Sequence, residues 1–370
     1  MSRDLSRVRT VVVKVGTNLL SCPSGIDPLR IGDIASQVSE LIGRGYHVII
    51  VSSGAIGMGA KALGHNSAVK QIPLRQACAA IGNPLLMTAY QEAFAKHGLL
   101  CGQVLITRNV LNKRESYNNM RASVSKLLEL GVVPIFNEND VVSTSEISNV
   151  FGDNDRMSAY VASKIDAELL VIMTDIDGVY TGNPKKEPDA VLIPEIEDLS
   201  EEIFSFAKGA GSTFSTGGMK TKLLAAEIAR KSGCGTLIIS GYEKNSLLRA
   251  VSGEVIGTYV HPEHGLAQRQ RWIYNTAASG SVTVDEGAQT ALTVGHKSLL
   301  PSGITDVTGV FNDGDVIEVR ATDGSVIMKA ITGFNSSDLL RIMGRKTKDI
   351  AKILGNVPKV VFRPEDSVYL

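Results

Sequence analysis

Up to about residue 260 the chain alternates short aliphatic runs with segments long enough to be helices, and that alternation limits the folds open to it. The runs are Thr10–Val15, His47–Val51, Gln103–Ile106, Val132–Phe136, Glu168–Met173 and Thr236–Ser240. Between them lie Pro28–Gly43, Leu74–Lys96, Glu115–Leu130, Asp155–Lys164 and Met219–Lys231. Strands built almost wholly from Val, Ile and Leu are buried on both faces, as in a parallel sheet covered by helices. The expected fold class is α/β, an open α/β/α sandwich with a mainly parallel sheet.

The pattern changes after His261. A polar connector holding the single tryptophan, Trp272, leads into short strand-like pieces broken by Gly, Asp and Asn: Ser281–Val284, Val307–Phe311, Val316–Ala321 and Val326–Ile331. Asp323-Gly324 between two of these is a hairpin signal. A length of 370 residues also exceeds one ordinary core. The expected division is 1–262 as one domain, 263–279 as connector and 280–370 as a small, mostly β domain.

Formal net charge is zero, so no general pull toward nucleic acid or membrane is implied. No apolar run approaches the roughly 18 residues of a membrane span. The cysteines Cys22, Cys78, Cys101 and Cys234 are scattered without metal-site spacing, which fits a reducing cytoplasm.

In open α/β sheets ligands gather beyond the carboxyl ends of the strands, so the residues after each strand are the candidates. The first strand ends Lys14-Val15-Gly16-Thr17-Asn18, with a lysine inside an apolar run. Such a lysine requires an anionic partner, unless it snorkels at a sheet edge. The second strand runs into Ser52-Ser53-Gly54-Ala55-Ile56-Gly57, where glycines give N–H groups close access to an anion. Asn137-Glu138-Asn139-Asp140 and Gly152-Asp153-Asn154-Asp155 are amide and carboxylate clusters, suited to an ammonium, a metal or a helix cap. Thr174-Asp175-Ile176-Asp177-Gly178-Val179-Tyr180 adds polar groups and a tyrosine that could cover a nucleotide.

Thr216-Gly217-Gly218-Met219-Lys220-Thr221-Lys222 is a glycine-rich loop feeding a helix start. Orphan N–H groups and the helix dipole there favour a polyanion such as phosphate. Two lysines in the first turn oppose the dipole, a conflict that a bound phosphate would relieve; a solvated helix start is the alternative. No Walker A, Rossmann or protein-kinase signature occurs.

Taken in order, the motifs around Lys14, Ser53, Asp140, Asp155, Asp175 and Lys222 resemble those of the amino acid kinase family. Val284-Asp285-Glu286-Gly287-Ala288, Ser298–Ile304 and Asn335-Ser336-Ser337-Asp338 resemble a PUA domain. The likeness spans essentially the whole chain and implies the amino acid kinase fold with a PUA domain appended. It further implies ATP-dependent phosphorylation of the γ-carboxylate of L-glutamate, the first step of proline biosynthesis, with Mg2+ accompanying ATP and proline as feedback inhibitor.

The resemblance assigns Lys14 and Lys222 to the transferring and leaving phosphate and Asp155 to orienting them. Ser53, Asp140 and Asn154 fall to the substrate, and Lys14, Thr174, Asp175, Thr216, Gly217, Gly218, Met219, Lys220, Thr221 and Lys222 to ATP. No protein metal ligand is expected, because Mg2+ keeps its waters. Assembly into a homo-oligomer is expected too. The acyl phosphate product is labile, and a separate reductase must consume it.

PUA domains elsewhere bind RNA, so an RNA-binding or regulatory protein on a kinase scaffold is the alternative reading. From Ser281 to Leu370 there are 10 Lys plus Arg against 11 Asp plus Glu, a net of −1, little of the footprint nucleic acid requires. Arg341, Arg345, Lys346, Lys348 and Lys352 form a local basic, helix-like stretch.

Overall fold

The computed structural model describes residues 3–22, 25–65, 69–142, 154–184, 186–207, 218–263, 268–355 and 360–370. The chain divides into two compact units, Met1–Leu111 with Asn118–Gly265, and Asn112–Tyr117 with Leu266–Leu370.

The first unit holds an eight-stranded sheet. Its strands in chain order are β1 (Thr10–Val15), β2 (His47–Ser52), β3 (Leu100–Ile106), β4 (Val132–Glu138), β5 (Leu169–Thr174), β6 (Glu195–Ile196), β7 (Gly235–Ser240) and β8 (Thr258–Val260). Across the sheet they run β6-β8-β7-β5-β1-β2-β4-β3. Every pairing is parallel except β7 with β8. The mainly parallel sheet is thus present, and it gains two short strands, β6 and β8, at one edge. Two or three residues carry too little periodicity to be seen in a sequence.

Central strand β1 lies between β2 and β5, with Lys14 opposite Val51 and Ile172. Lys14 is therefore inside the sheet, and snorkelling at an edge is ruled out. Side chains alternate along a strand. Val11, Val13 and Val15 join the core beneath helices α1 (Pro28–Gly43) and α3 (Ile72–Ala95). Val12 and Lys14 face the opposite side, where α4 (Asn154–Lys164) packs on β1, β2 and β5. The chain winds from β1 to β2 on one side, then returns to β5 on the other, so the strand order reverses about β1. That reversal opens a crevice at the carboxyl ends of the strands.

Local sequence explains the helices that frame it. Helix α1 starts with Pro28 behind Asp27, whose Oδ1 accepts from the backbone N–H groups of Leu29 and Arg30. Helix α2 (Ala55–Ala62) crosses α3 so closely that only glycines fit. A Cβ on Gly59 would lie 1.8 Å from the Cys78 carbonyl oxygen, and one on Gly82 would lie 1.7 Å from that of Ala55.

In the second unit the strands β9 (Gly280–Val284), β10 (Ile304–Gly309), β11 (Val316–Arg320), β12 (Val326–Ile331) and β13 (Ser367–Tyr369) form one sheet in the order β10-β9-β11-β12-β13. Strands β11 and β12 make the expected antiparallel hairpin, with Gly324 at φ +87° in its turn. Val282, Val319, Met328, Leu339 and Ile342 meet in its core.

Three expectations need correction here. The strand expected at Val307–Phe311 begins at Ile304, and Phe311 is buried beyond its end. The polar connector contains a helix, Gln268–Asn275, with Trp272 buried. The basic stretch is two short helices, Ser336–Ile342 and Thr347–Leu354, because Gly344 at φ +71° breaks the run.

Candidate active site

Three elements bring a carboxylate and two ammonium groups together. Lys14 comes from β1, Asp155 from the first turn of α4, and Lys222 from the first turn of α5 (Met219–Lys231). Lys14 Nζ lies 2.5 Å from Asp155 Oδ1, and Lys222 Nζ lies 3.1 Å from Asp155 Oδ2. The Asp155 side chain is wholly buried and the lysines nearly so. Burial alone pushes the Asp155 carboxyl up. The Lys14 ammonium, then that of Lys222, outweighs burial and holds it well below the usual carboxylate range.

Helices α4 and α5 lie side by side and parallel. Their first turns meet at Asp155 and Lys222, and at the other end Ser232 Oγ donates to Ser163 Oγ at 2.8 Å. Both helix N-termini therefore point to the same edge of the sheet as Lys14. Two positive helix ends, with two lysines against one carboxylate, leave net positive charge where strands and helices meet.

Of the two lysines that opposed the helix dipole, only Lys222 turns inward; Lys220 is exposed. Two positions on a helix differ by about 200° in direction. Asp155 supplies Lys222 with an internal counter-charge. Thr221 Oγ1 lies 3.0 Å from Asp155 Oδ2 and 2.7 Å from the Gly218 carbonyl oxygen, so it braces the helix start onto the carboxylate. Met219 is buried behind that turn. Thr216 and Gly217, and the Gly152-Asp153 pair, lie outside the described residues.

Asn154, next to Asp155, serves the other side of the crevice. Its Nδ2 donates to Ser53 Oγ at 2.8 Å and to the Ser52 carbonyl at 2.9 Å. The turn after Ser53 needs Gly54, whose φ of +102° suits a residue without Cβ. Asp140, half-buried beyond β4, has its carboxyl pushed up to about 6 by burial, against the lowering influence of Arg75.

At the end of β5, Thr174 Oγ1 donates to Asp175 Oδ1 at 3.0 Å, and Asn18 Nδ2 donates to Asp175 Oδ2 at 3.0 Å. Burial pulls the Asp175 carboxyl upward, but these hydrogen bonds prevail and lower it. Tyr180 donates to Asp177 Oδ2 at 2.7 Å, which commits its hydroxyl locally. Gly16 keeps β1 close to β5: its N–H donates to the Met173 carbonyl at 3.2 Å.

Among the described residues the arrangement offers no carboxylate cage for a metal at this crevice. Asp155 is taken by two ammonium groups, and Asp175 by Thr174 and Asn18. One His/Glu group of ligating geometry, Glu195, Glu197 and His261, lies at the far end of the sheet, where Val260 pairs with Thr236 at the start of β7. Arg3 is 3.5 Å from Glu195 and supplies a competing cation there.

Sequence patterns alone did not single out Asn83 or Tyr90 on α3, which hydrogen-bond to Asn137 and Ser52 beside the crevice. On the buried face of a helix, an amide and a tyrosine give no periodic signal distinct from core.

Comparison with known proteins agrees with this architecture. The family model for the amino acid kinase family matches residues 9–240, and that for the PUA domain matches residues 280–354. The chain belongs to the amino acid kinase family, with a PUA domain following the kinase region. A Methanosarcina barkeri protein named glutamate 5-kinase is 46% identical over 360 residues, covering 95% of this chain and 94% of its own. A Geobacter sulfurreducens protein of the same name is 44% identical over 354 residues, again covering 95% and 94%. The solved N-acetylglutamate synthase from Neisseria gonorrhoeae superposes with a TM-score of 0.50 at 17% identity, over 70% of this chain and 61% of that one. That last likeness concerns fold alone.

Proposed function

We propose that the chain transfers the γ-phosphoryl group of ATP to the γ-carboxylate of L-glutamate, giving L-glutamyl 5-phosphate. The observation that carries this reading is the pair Asn154–Asp155. One side chain reaches Ser53 on the acceptor side and the next holds Lys14 and Lys222 on the phosphate side. Near-full-length relatives named glutamate 5-kinase support the choice of acceptor.

A glutamate side chain ionises near pH 4.3, so at neutral pH it is already the nucleophile and needs no general base. What opposes reaction is the approach of a carboxylate to a triphosphate. Lys14 and Lys222 offset that repulsion, Lys14 at the transferring phosphoryl and Lys222 toward the leaving phosphate. Asp155 fixes both ammonium groups before substrate arrives, so little reorganisation is left for the reaction itself. Asp140 receives the free α-ammonium of glutamate, with Ser53 and Asn154 holding the rest of the amino acid.

Thr174, Asp175 and the segment 216–222 bind the nucleotide. Mg2+ fits this site as an ion carried by ATP, since Asp155 and Asp175 are already engaged; bound there, it would neutralise phosphate charge.

The same reading places the protein in the cytoplasm as a homo-oligomer, with proline as feedback inhibitor and a separate reductase consuming the product. Cys22, Cys78, Cys101 and Cys234 form no disulfide, which suits a reducing compartment. No helix among the described residues is long and apolar enough to cross a membrane. Residues 1–262, 263–279 and 280–370 would be the kinase domain, connector and PUA domain.

The test is ADP release with hydroxamate trapping of the acyl phosphate, using L-glutamate beside N-acetylglutamate, aspartate and UMP. Strong preference for L-glutamate is expected. A preference for any other acceptor would overturn the assignment.

A further inference from the structure

Helix α3 carries two buried polar side chains, Asn83 and Tyr90, that phosphoryl transfer does not itself require. Positions 83 and 90 lie about two turns apart on one helix face. The Tyr90 hydroxyl is 3.0 Å from Ser52 Oγ, and both residues are fully buried. Ser52 Oγ donates in turn to the Ser53 carbonyl at 3.2 Å, which leaves Tyr90 as donor to Ser52. Asn83 Oδ1 accepts from Asn137 Nδ2 at 2.9 Å, and Asn137 Oδ1 accepts from the Glu138 N–H at 2.9 Å.

Ser52 and Asn137 belong to β2 and β4, the two strands that lead into Ser53 and Asp140. A third tie is steric: Gly82 lets the α3 backbone touch the carbonyl of Ala55, the first residue of α2. Phenylalanine and leucine would fill these two sites without a polar atom to desolvate. Polar groups there gain direction rather than burial: each hydrogen bond fixes one strand end relative to one helix.

We propose that α3 is the template for the acceptor side of the site, with Tyr90 and Asn83 as positioning residues that set glutamate affinity through Ser52 and Asn137. Neither side chain touches substrate. The nucleotide side, built from β5 and α5, does not depend on them. The inference rests on the assignment of Ser53 and Asp140 to the acceptor.

Tyr90→Phe keeps the ring stacked near Phe94, at 6.3 Å between centroids, and removes only the hydroxyl. Steady-state kinetics should show KM for glutamate raised about 10-fold, the scale of one buried hydrogen bond, with kcat and KM for ATP within about 2-fold. Ser52→Ala removes the same bond from the other side. It should reproduce the split, and the double variant should be no worse than either single one.

Amide exchange in the ligand-free protein supplies a readout independent of substrate identity. Exchange at Ser53–Ala55 should quicken about 10-fold in Tyr90→Phe, with Met219–Lys222 unchanged. Unchanged exchange at Ser53–Ala55, or an equal rise in both KM values, would overturn the proposal. Failure of the wild type to use glutamate would refute the acceptor assignment instead, and the exchange result would still decide whether α3 holds this turn.

Discussion

Lys14 and Lys222, far apart in sequence, hold opposite oxygens of one buried carboxylate, Asp155, at 2.5 and 3.1 Å. The pairing explains how two cations tolerate an interior position while leaving a net positive charge at the crevice. An ion cluster of this kind adds little net stability, but breaking it is expensive because uncompensated charge stays buried.

Asp155→Asn should therefore lower the free energy of unfolding by about 3–5 kcal/mol, the usual scale for orphaning a buried ion partner. Urea denaturation monitored by circular dichroism would measure it. The folded-state pKa of Asp155 is depressed, so its contribution is present above the unfolded carboxylate pKa and is lost as pH falls through the folded value. A variant as stable as the wild type at pH 7 would show that the cluster is not charged as described.

Asp140 behaves in the opposite sense. Burial raises its carboxyl to about 6, so the fold binds that proton more tightly than the unfolded chain does. Its contribution to stability thus falls as pH rises from about 4 toward 6, and Asp140→Asn should be neutral or stabilising at pH 7. In its proposed role, receiving the α-ammonium of glutamate, Asp140 must be ionised. The profile of kcat/KM for glutamate should therefore lose about tenfold per pH unit below about 6, and Asp140→Asn should abolish that limb. A flat wild-type profile between pH 5 and pH 7 would remove Asp140 from the ammonium site.

The glycine contact between α2 and α3 can be tested by one methyl group. In Gly82→Ala the new Cβ would meet the Ala55 carbonyl oxygen at 1.7 Å, and backbone cannot rotate away as a side chain can. Overpacking of this kind costs about 1–3 kcal/mol or more. The strain falls on the residue that follows Ser53-Gly54. Thermal unfolding should show the loss of stability, and the KM for glutamate should rise more than the KM for ATP.

Much of this was legible in the residues. Thr10–Val15, Pro28–Gly43 and Met219–Lys231 have the bounds that their aliphatic run, their cap and their helical spacing indicate. Lys14 could be recognised as costly but not as satisfied, since its partner lies far along the chain at Asp155. The edge strands Glu195–Ile196 and Thr258–Val260 exist because neighbours pair with them, and nothing local announces that. Tyr90 and Asn83 stayed hidden for a related reason: their polar atoms face inward to Ser52 and Asn137, where sequence shows only a long apolar helix. The lysines at 220 and 222 looked alike until helix geometry turned one inward.

In the proposed mechanism Lys222 acts on the reacting phosphate rather than only holding the fold together. The most direct measurement is kcat of Lys222→Ala at saturating ATP and L-glutamate, with thermal unfolding recorded on the same sample. A drop of about 10²–10³-fold is predicted, the scale of losing one transition-state donor, in protein that still unfolds cooperatively. A kcat near that of the wild type would contradict it.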